Sequence, residues 1–144
     1  MKPWKCLTHV LAGLLVAILS LQTSYAASGG YGSSTATPTI YSKNLWYNVA
    51  YPVVGSIPSN ATLTKVYYRW DYPYPRPVGL LVYLCNSAGT LCADVSGAGS
   101  GLVDFTGFGV AANQPLRLYT GVSGTGTMAP LAARPTSVTV NYDF

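Results

Sequence analysis

The sequence predicts an all-β protein built as an antiparallel β-sandwich of about seven or eight short strands. Apolar and polar residues alternate with a period of two in short runs that recur about every ten residues. The chain contains 15 glycines and 10 prolines, many of them between these runs. No segment after residue 26 combines helical periodicity with capping residues. Strands joined by tight turns, in an immunoglobulin-like or chaperone-like arrangement, account for this pattern.

The first 26 residues predict a cleaved secretory signal peptide. Lys2 and Lys5 supply a basic start. Residues 11–19 form an apolar core that is shorter than the roughly 20 residues of a membrane-spanning helix. Small residues at Ser24 and Ala26 occupy the positions that a signal peptidase recognises, so cleavage is expected after Ala26.

The mature chain carries too little charge for a nucleic-acid-binding protein. Two of the eight basic residues, Lys2 and Lys5, precede the cleavage site, which leaves six against four aspartates and a net charge of +2. These six are scattered along the sequence, whereas contacts to phosphates require clustered Lys and Arg. We therefore expect no nucleic-acid partner. We also expect no stable membrane insertion, because the apolar core of the signal is too short to span a bilayer.

Each strand is predicted from its own residues. A flexible lead-in rich in Gly, Ser and Thr, residues 27–39, precedes one domain, residues 40–144. Residues 62–72 alternate aromatic or β-branched side chains with charged ones, and three prolines then end that strand. Residues 79–85 are apolar throughout, which predicts a central strand that is buried on both faces or nearly so. The other predicted strands are residues 40–54, 91–95, 102–110, 115–122 and 137–144.

Cys85 and Cys92 are predicted to form a disulfide. They are the cysteines that remain after processing, and exported proteins commonly oxidise such a pair. Their spacing suits opposite positions in a hairpin, where facing strands come close enough for the bond. A redox or metal-binding pair is the weaker alternative, because the spacing is not CxxC and His9 is removed with the signal.

The mature sequence offers little for catalysis, and we expect no enzyme, no cofactor and no metal site. It has neither histidine nor glutamate, the residues most used for acid–base chemistry near neutral pH. Aspartates remain, but Asp71, Asp94 and Asp104 lie in turn-like segments, where aspartate usually has a structural role.

A cluster of aromatic and basic residues beside the prolines is the candidate partner-binding surface. Tyr, Trp and Arg dominate the hot spots of protein–protein interfaces. The same side chains could instead fill the core on one face of the strand and flank a rigid turn, and composition alone does not decide between these placements. The six residues are Tyr67, Arg69, Trp70, Tyr72, Tyr74 and Arg76.

The order of motifs between residues 65 and 142 is distinctive. An Arg-Trp strand end leads into the prolines, followed by an apolar strand and two cysteines. Gly-Phe at 107–108, Pro-Leu-Arg-Leu at 115–118, a glycine loop at 122–126 and a closing strand at 137–142 come next. In this order and spacing, the chain resembles the FlhE family of exported flagellar proteins from Gram-negative bacteria.

The resemblance implies a non-enzymatic accessory protein of the flagellum in the periplasm. Its implied roles are chaperone-like handling of rod components, limiting proton leak through the export gate, and supporting swarming motility. The expected partners are flagellar rod or export-apparatus proteins, bound through a sheet edge and an aromatic surface; a homodimer is left open. The alternative from the residues alone is a secreted carbohydrate-binding or adhesin-type module that uses the Tyr and Trp side chains.

Overall fold

A computed structural model describes residues 26–144 and contains eight β-strands in this part of the chain. The predicted signal peptide, apart from Ala26, lies outside the described residues. Within them, no helix is long and apolar enough to span a membrane. The strands are β1 (Ser28–Ala36), β2 (Trp46–Tyr51), β3 (Thr62–Arg69), β4 (Leu80–Cys85), β5 (Cys92–Asp94), β6 (Ser100–Asp104), β7 (Leu116–Val122) and β8 (Pro135–Asp143).

The strands form two antiparallel sheets of four strands each. The first sheet has the order β1-β8-β3-β6 and the second has the order β2-β7-β4-β5. The core lies between them, because alternate side chains of each strand point inward. Val66 and Val140 of the first sheet and Val82 and Leu118 of the second are all 0% exposed. The predicted antiparallel sandwich is confirmed.

The lead-in predicted to be flexible is an edge strand of the first sheet, so that prediction is wrong. β1 pairs with β8 along its whole length. Gly29 leaves the space that the Tyr142 ring occupies, since a Cβ at Gly29 would lie 2.5 Å from that ring. The Ser33 hydroxyl donates a 2.6 Å hydrogen bond to the Pro52 carbonyl. The sandwich therefore begins at β1 and not at residue 40.

β4 is central in the second sheet, as predicted, but only its inward face is fully buried. Val82 and Leu84 point into the core and are fully buried, whereas Leu81 and Tyr83 are half-buried on the outer face. Within residues 26–144, nothing forms a third layer over that face. The outer face of the second sheet is therefore an apolar surface that reaches solvent.

The chain after β3 closes one end of the sandwich. β3 stops at Arg69, before the predicted end at Tyr72. The Trp70 N–H then donates a 2.7 Å hydrogen bond to the Gly99 carbonyl, which precedes β6. The alternation of inward and outward side chains in β3 continues past Arg69, so the Trp70 and Tyr72 side chains point into the core.

Candidate partner-binding surfaces

The candidate surface beside the prolines is divided by the fold, and two of its residues belong to the core. Trp70 is 2% exposed and Tyr72 is fully buried. Trp70 Nε1 donates to the Val95 carbonyl at 3.0 Å, and the Tyr72 hydroxyl donates to the Pro38 carbonyl at 2.6 Å. The prediction that Trp70 and Tyr72 contact a partner is therefore wrong, because both rings close the end of the sandwich.

Arg76 holds the proline turn in place through contacts within the chain. Its guanidinium carbon lies 4.8 Å from the Trp70 ring centroid and 4.4 Å from that of Tyr74. Its Nη2 donates to Asp71 Oδ1 at 2.9 Å, and its Nε donates to the Tyr72 carbonyl at 3.3 Å. Such cation–π contacts contribute roughly 0.5–1 kcal/mol each at exposed sites. Arg76 orders the turn and uses two of its five N–H donors within the chain.

The other three predicted contact residues remain exposed. Arg69 and Tyr74 border a shallow polar cavity, with Ser100 on its far side. Tyr74 is 79% exposed at the tip of the turn. Tyr67 lies further along the outer face of the first sheet, opposite Leu102 of β6. Contact of Tyr67, Arg69 and Tyr74 with a partner stays a prediction.

The outer face of the second sheet carries an aromatic groove that the sequence analysis did not single out. Trp46, Tyr83 and Tyr119 line a cavity of about 350 Å³ together with the Cys85–Cys92 disulfide. Trp46 is 55% exposed and packs edge-on against Tyr83, with 5.5 Å between the ring centroids. The lining is almost entirely apolar. We call these five residues the aromatic groove.

Strand register brings the rings of the aromatic groove together. Trp46 lies opposite Gly121, and Tyr83 lies opposite Tyr119. Because Gly121 has no side chain, the indole can lie close to its backbone; a Cβ there would be 3.2 Å from the indole ring. Tyr83 and Tyr119 occupy outward positions of period-two patterns, which is the sequence signal for this face. In β4 this signal is hidden because its inward and outward positions are both apolar.

Polar groups border the aromatic groove. Arg117 Nη1 donates to Asn48 Oδ1 at 2.8 Å. Asp94, opposite Tyr83 on β5, accepts a 2.9 Å hydrogen bond from the Ser96 N–H. Hydrogen bonds from the Ser96 side chain and backbone hold the pKa of the Asp94 carboxyl below its usual range. The rim therefore places a guanidinium and a carboxylate next to an apolar floor.

The predicted disulfide is present at the edge of the aromatic groove. Cys85 and Cys92 face each other in the β4–β5 ladder and are bonded. Asn86 orders the hairpin loop between them, because its Oδ1 accepts from the N–H groups of Thr90 and Leu91 at 2.9 and 3.2 Å. The wall of the groove that the disulfide forms is thus fixed by both covalent and hydrogen bonds.

The aspartates away from the groove serve as turn and ion-pair residues. Asp104 Oδ1 accepts a 2.9 Å hydrogen bond from the Thr106 N–H, and Thr106 hydrogen bonds hold the pKa of that carboxyl below its usual range. Asp71 is paired with Arg76. Within residues 26–144, no group of three or more His, Cys, Asp or Glu is placed to hold a metal ion. The surfaces described above are suited to binding by shape and apolar contact.

Known proteins are similar to this chain in sequence and architecture. A family model described as flagellar protein FlhE matches residues 43–143, which include β2 to β8. The flagellar protein FlhE of Escherichia coli (strain K12) is 29% identical over 130 residues, covering 90% of this chain and 96% of that protein. A solved crystal structure of FlhE superposes with a TM-score of 0.69 at 27% identity, covering 83% of this chain and 100% of the other. These matches confirm the resemblance seen in the motifs, and the chain belongs to the FlhE family of flagellar proteins.

Proposed function

We propose that this flagellar accessory protein binds rod or export-apparatus components in the periplasm and handles them in a chaperone-like way during assembly. Membership of the FlhE family supports the flagellar role. The Cys85–Cys92 disulfide supports an oxidising compartment, because cytosolic thiols are normally kept reduced. Export would use the predicted signal peptide, and the mature protein would begin at Ala27.

The aromatic groove is the observation that carries this proposal. Trp46 is more than half exposed beside Tyr83 and Tyr119, on a sheet whose edge is fixed by a disulfide. Exposed Trp and Tyr on a rigid platform are the residues that most often become binding hot spots. An apolar side chain of the partner would enter the floor, while the Arg117 guanidinium and the Asp94 carboxylate meet polar groups at the rim. The proposed occupant is an apolar segment of a flagellar component that is exposed before the component assembles.

Limiting proton leak and supporting swarming would follow from such binding. Apolar segments of unassembled subunits associate with one another, and binding partners that cover these segments prevent premature association. Cells that lack a working groove would then assemble rods at the wrong time or place. Increased proton entry and reduced swarming are the expected consequences.

Trp46→Ala tests the groove in cells that lack the native gene. We expect recovery of rod or export-apparatus components by periplasmic cross-linking to fall about tenfold or more, as for a hot-spot tryptophan. Swarm diameter should fall with it. The variant should remain folded, because the indole lies on the surface and its loss opens no core cavity.

Phe108→Ala is the matched control for this experiment. Phe108 is also a large exposed aromatic residue, but it borders a different cavity, formed with Leu91 and Val110. We expect normal recovery of flagellar components and normal swarming with this variant. Failure of the unaltered protein to recover any flagellar component, or equal recovery with Trp46→Ala, would contradict the proposal.

Binding of a periplasmic glycan is a second candidate function. Trp46 and Tyr119 lie on a sheet face beside the hydrogen-bonding groups of Asn48 and Arg117. Sugar rings stack on aromatic side chains while their hydroxyls bond to amide and guanidinium groups. Co-sedimentation with purified peptidoglycan distinguishes the candidates. Sedimentation that is lost with Trp46→Ala, without any recovery of flagellar components, would favour the glycan.

A further inference from the structure

β1 presents the longest free edge among the strands of residues 26–144. It has nine residues, against six for β2, five for β6 and three for β5, the other edge strands. Proteins protect exposed edges by shortening them or by placing charge or proline on them. β5 and β6 carry Asp94 and Asp104, and Pro52 directly follows β2, whereas β1 contains neither charge nor proline. The edge of β1 thus has none of these protections.

Hydrogen bonding to β8 leaves alternate backbone groups of β1 pointing away from the sheet. Ala27 and Phe144 exchange both backbone hydrogen bonds, at 3.0 and 2.8 Å, and Thr37 N–H donates to Arg134 at the other end. Because bonded and non-bonded pairs alternate in an antiparallel ladder, the odd-numbered residues of β1 bond to β8. The even-numbered residues direct their N–H and C=O groups to the free side. They are Ser28, Gly30, Gly32, Ser34 and Ala36, all small and all exposed.

A strand added beside β1 would meet an apolar surface on its inward side. Tyr31 of β1 and Tyr47 and Val49 of β2 face inward at the same side of the sandwich but are only partly buried. Every second residue of the added strand would point toward them. On the outward side, Gly30 and Gly32 have no side chains, so the added strand's other residues are not constrained by neighbours on β1.

We infer that the free edge of β1 pairs with an extended polypeptide segment that has apolar residues at every second position. The backbone supplies most of the contacts, so the site selects extended, unassembled chains and tolerates different sequences. The inference rests on the proposed function for the source of that segment, an unassembled flagellar component. In this arrangement β1 makes the backbone hydrogen bonds to the segment, and the aromatic groove makes side-chain contacts.

A second copy of this chain is a poorer occupant of the β1 edge. Nine residues extend about 30 Å, and one sheet is about 10 Å thick, so edge-to-edge contact of two rigid sandwiches covers about 300 Å² on each. Stable interfaces cover about 800 Å² on each partner. A flexible segment can also place apolar side chains against Tyr31, Tyr47 and Val49, whereas the inward-facing residues of a second β1 are packed in their own core.

Amide hydrogen exchange measured by NMR on the mature, oxidised protein tests this inference. One probe is a nine-residue peptide of alternating Val and Thr, and its control is the same peptide with every amide N-methylated, so that neither edge can donate to β1. The second probe is a flagellar rod subunit diluted from denaturant. We expect each unmethylated probe to slow exchange at Ser28, Gly30, Gly32, Ser34 and Ala36 about fivefold or more, since paired amides become protected. The N-methylated peptide should have no such effect.

Gly32→Lys and Gly97→Lys form a matched pair of variants. A Cβ at either glycine meets no atom within 4 Å, so both should fold. Lysine on the β1 edge should weaken peptide binding about tenfold, whereas lysine at Gly97 should not change it. Ser34→Pro, which removes one free N–H but no bond to β8, is the second edge variant and should weaken binding similarly.

The outcomes separate this inference from the proposed function. The inference is overturned if a probe binds without protecting the five amides. It is also overturned if these amides become protected as the protein concentration rises in the absence of a probe, and that result would identify a second copy as the occupant. Protection by the peptide without binding of any flagellar component supports the β1 site and counts against the proposed function. Binding of the rod subunit that is lost with Trp46→Ala but never protects β1 supports the proposed function alone.

Discussion

Buried hydroxyl groups connect the two sheets residue by residue. The Tyr51 hydroxyl on β2 lies 2.6 Å from Thr136 Oγ1 on β8, and that oxygen donates to the Arg69 carbonyl at 2.7 Å. The Tyr51 hydroxyl can therefore donate to Thr136 and complete a relay across the core. Such relays are stabilising when every member has a partner. Burial raises the pKa of Tyr51 to about 12, although the hydrogen bond with Thr136 opposes this shift.

Stability should fall in alkali as a consequence of the raised Tyr51 pKa. The unfolded chain loses this proton near the ordinary value of 10.0, while the folded protein keeps it to about pH 12. The contribution of Tyr51 is therefore complete below pH 10 and is lost as the pH rises toward 12. Urea unfolding at several pH values in this range should give a flatter pH dependence for Tyr51→Phe than for the native protein. The same pH dependence of the unfolding free energy in both proteins would contradict the role given to Tyr51.

The elements differ in how far their own residues determine them. β7 and β8 alternate clearly, and the β4–β5 hairpin carries its own cysteine pair, so the sequence predicted all of these. β1 was missed because three of its nine residues are glycine, which disfavours strands. Its pairing comes from β8, far along the chain, and from the fit of Tyr142 over Gly29. The aromatic groove was missed because its rings come from three strands whose register no local window shows.

Gly29→Ala tests the fit between β1 and β8. The added methyl group would lie 2.5 Å from the Tyr142 ring, so the ring or the strand must shift. We expect a loss of about 1–3 kcal/mol in the free energy of unfolding, as for other overpacked sites. Gly32→Ala is the control, because its Cβ meets no atom within 4 Å. That variant should be neutral or up to about 1 kcal/mol more stable. Equal free energies of unfolding for Gly29→Ala and Gly32→Ala in urea titrations would contradict this account of β1.

At the scale of the whole molecule, the disulfide stabilises the short edge strand of the second sheet. β5 has three residues, and the Cys85–Cys92 bond joins it to β4 at the end of their ladder. Replacing both cysteines by serine should lower the free energy of unfolding by about 2.5 kcal/mol, according to the loop-closure model. Reduction of the native protein should have a similar effect in urea titrations. An unchanged unfolding midpoint would show that the hairpin is ordered without the bond.

The pairing of β1 with β8 also determines when the protein can finish folding. When a chain crosses a membrane starting from its amino end, β1 emerges before all the remaining strands of the sandwich, and β8 emerges last. Contacts between such distant segments form slowly, because the whole intervening chain must be ordered or looped out. During this interval β1 has both edges free, and it lacks charges that would repel other chains. On the export route proposed above, we therefore expect general periplasmic chaperones to bind the newly delivered protein before it folds.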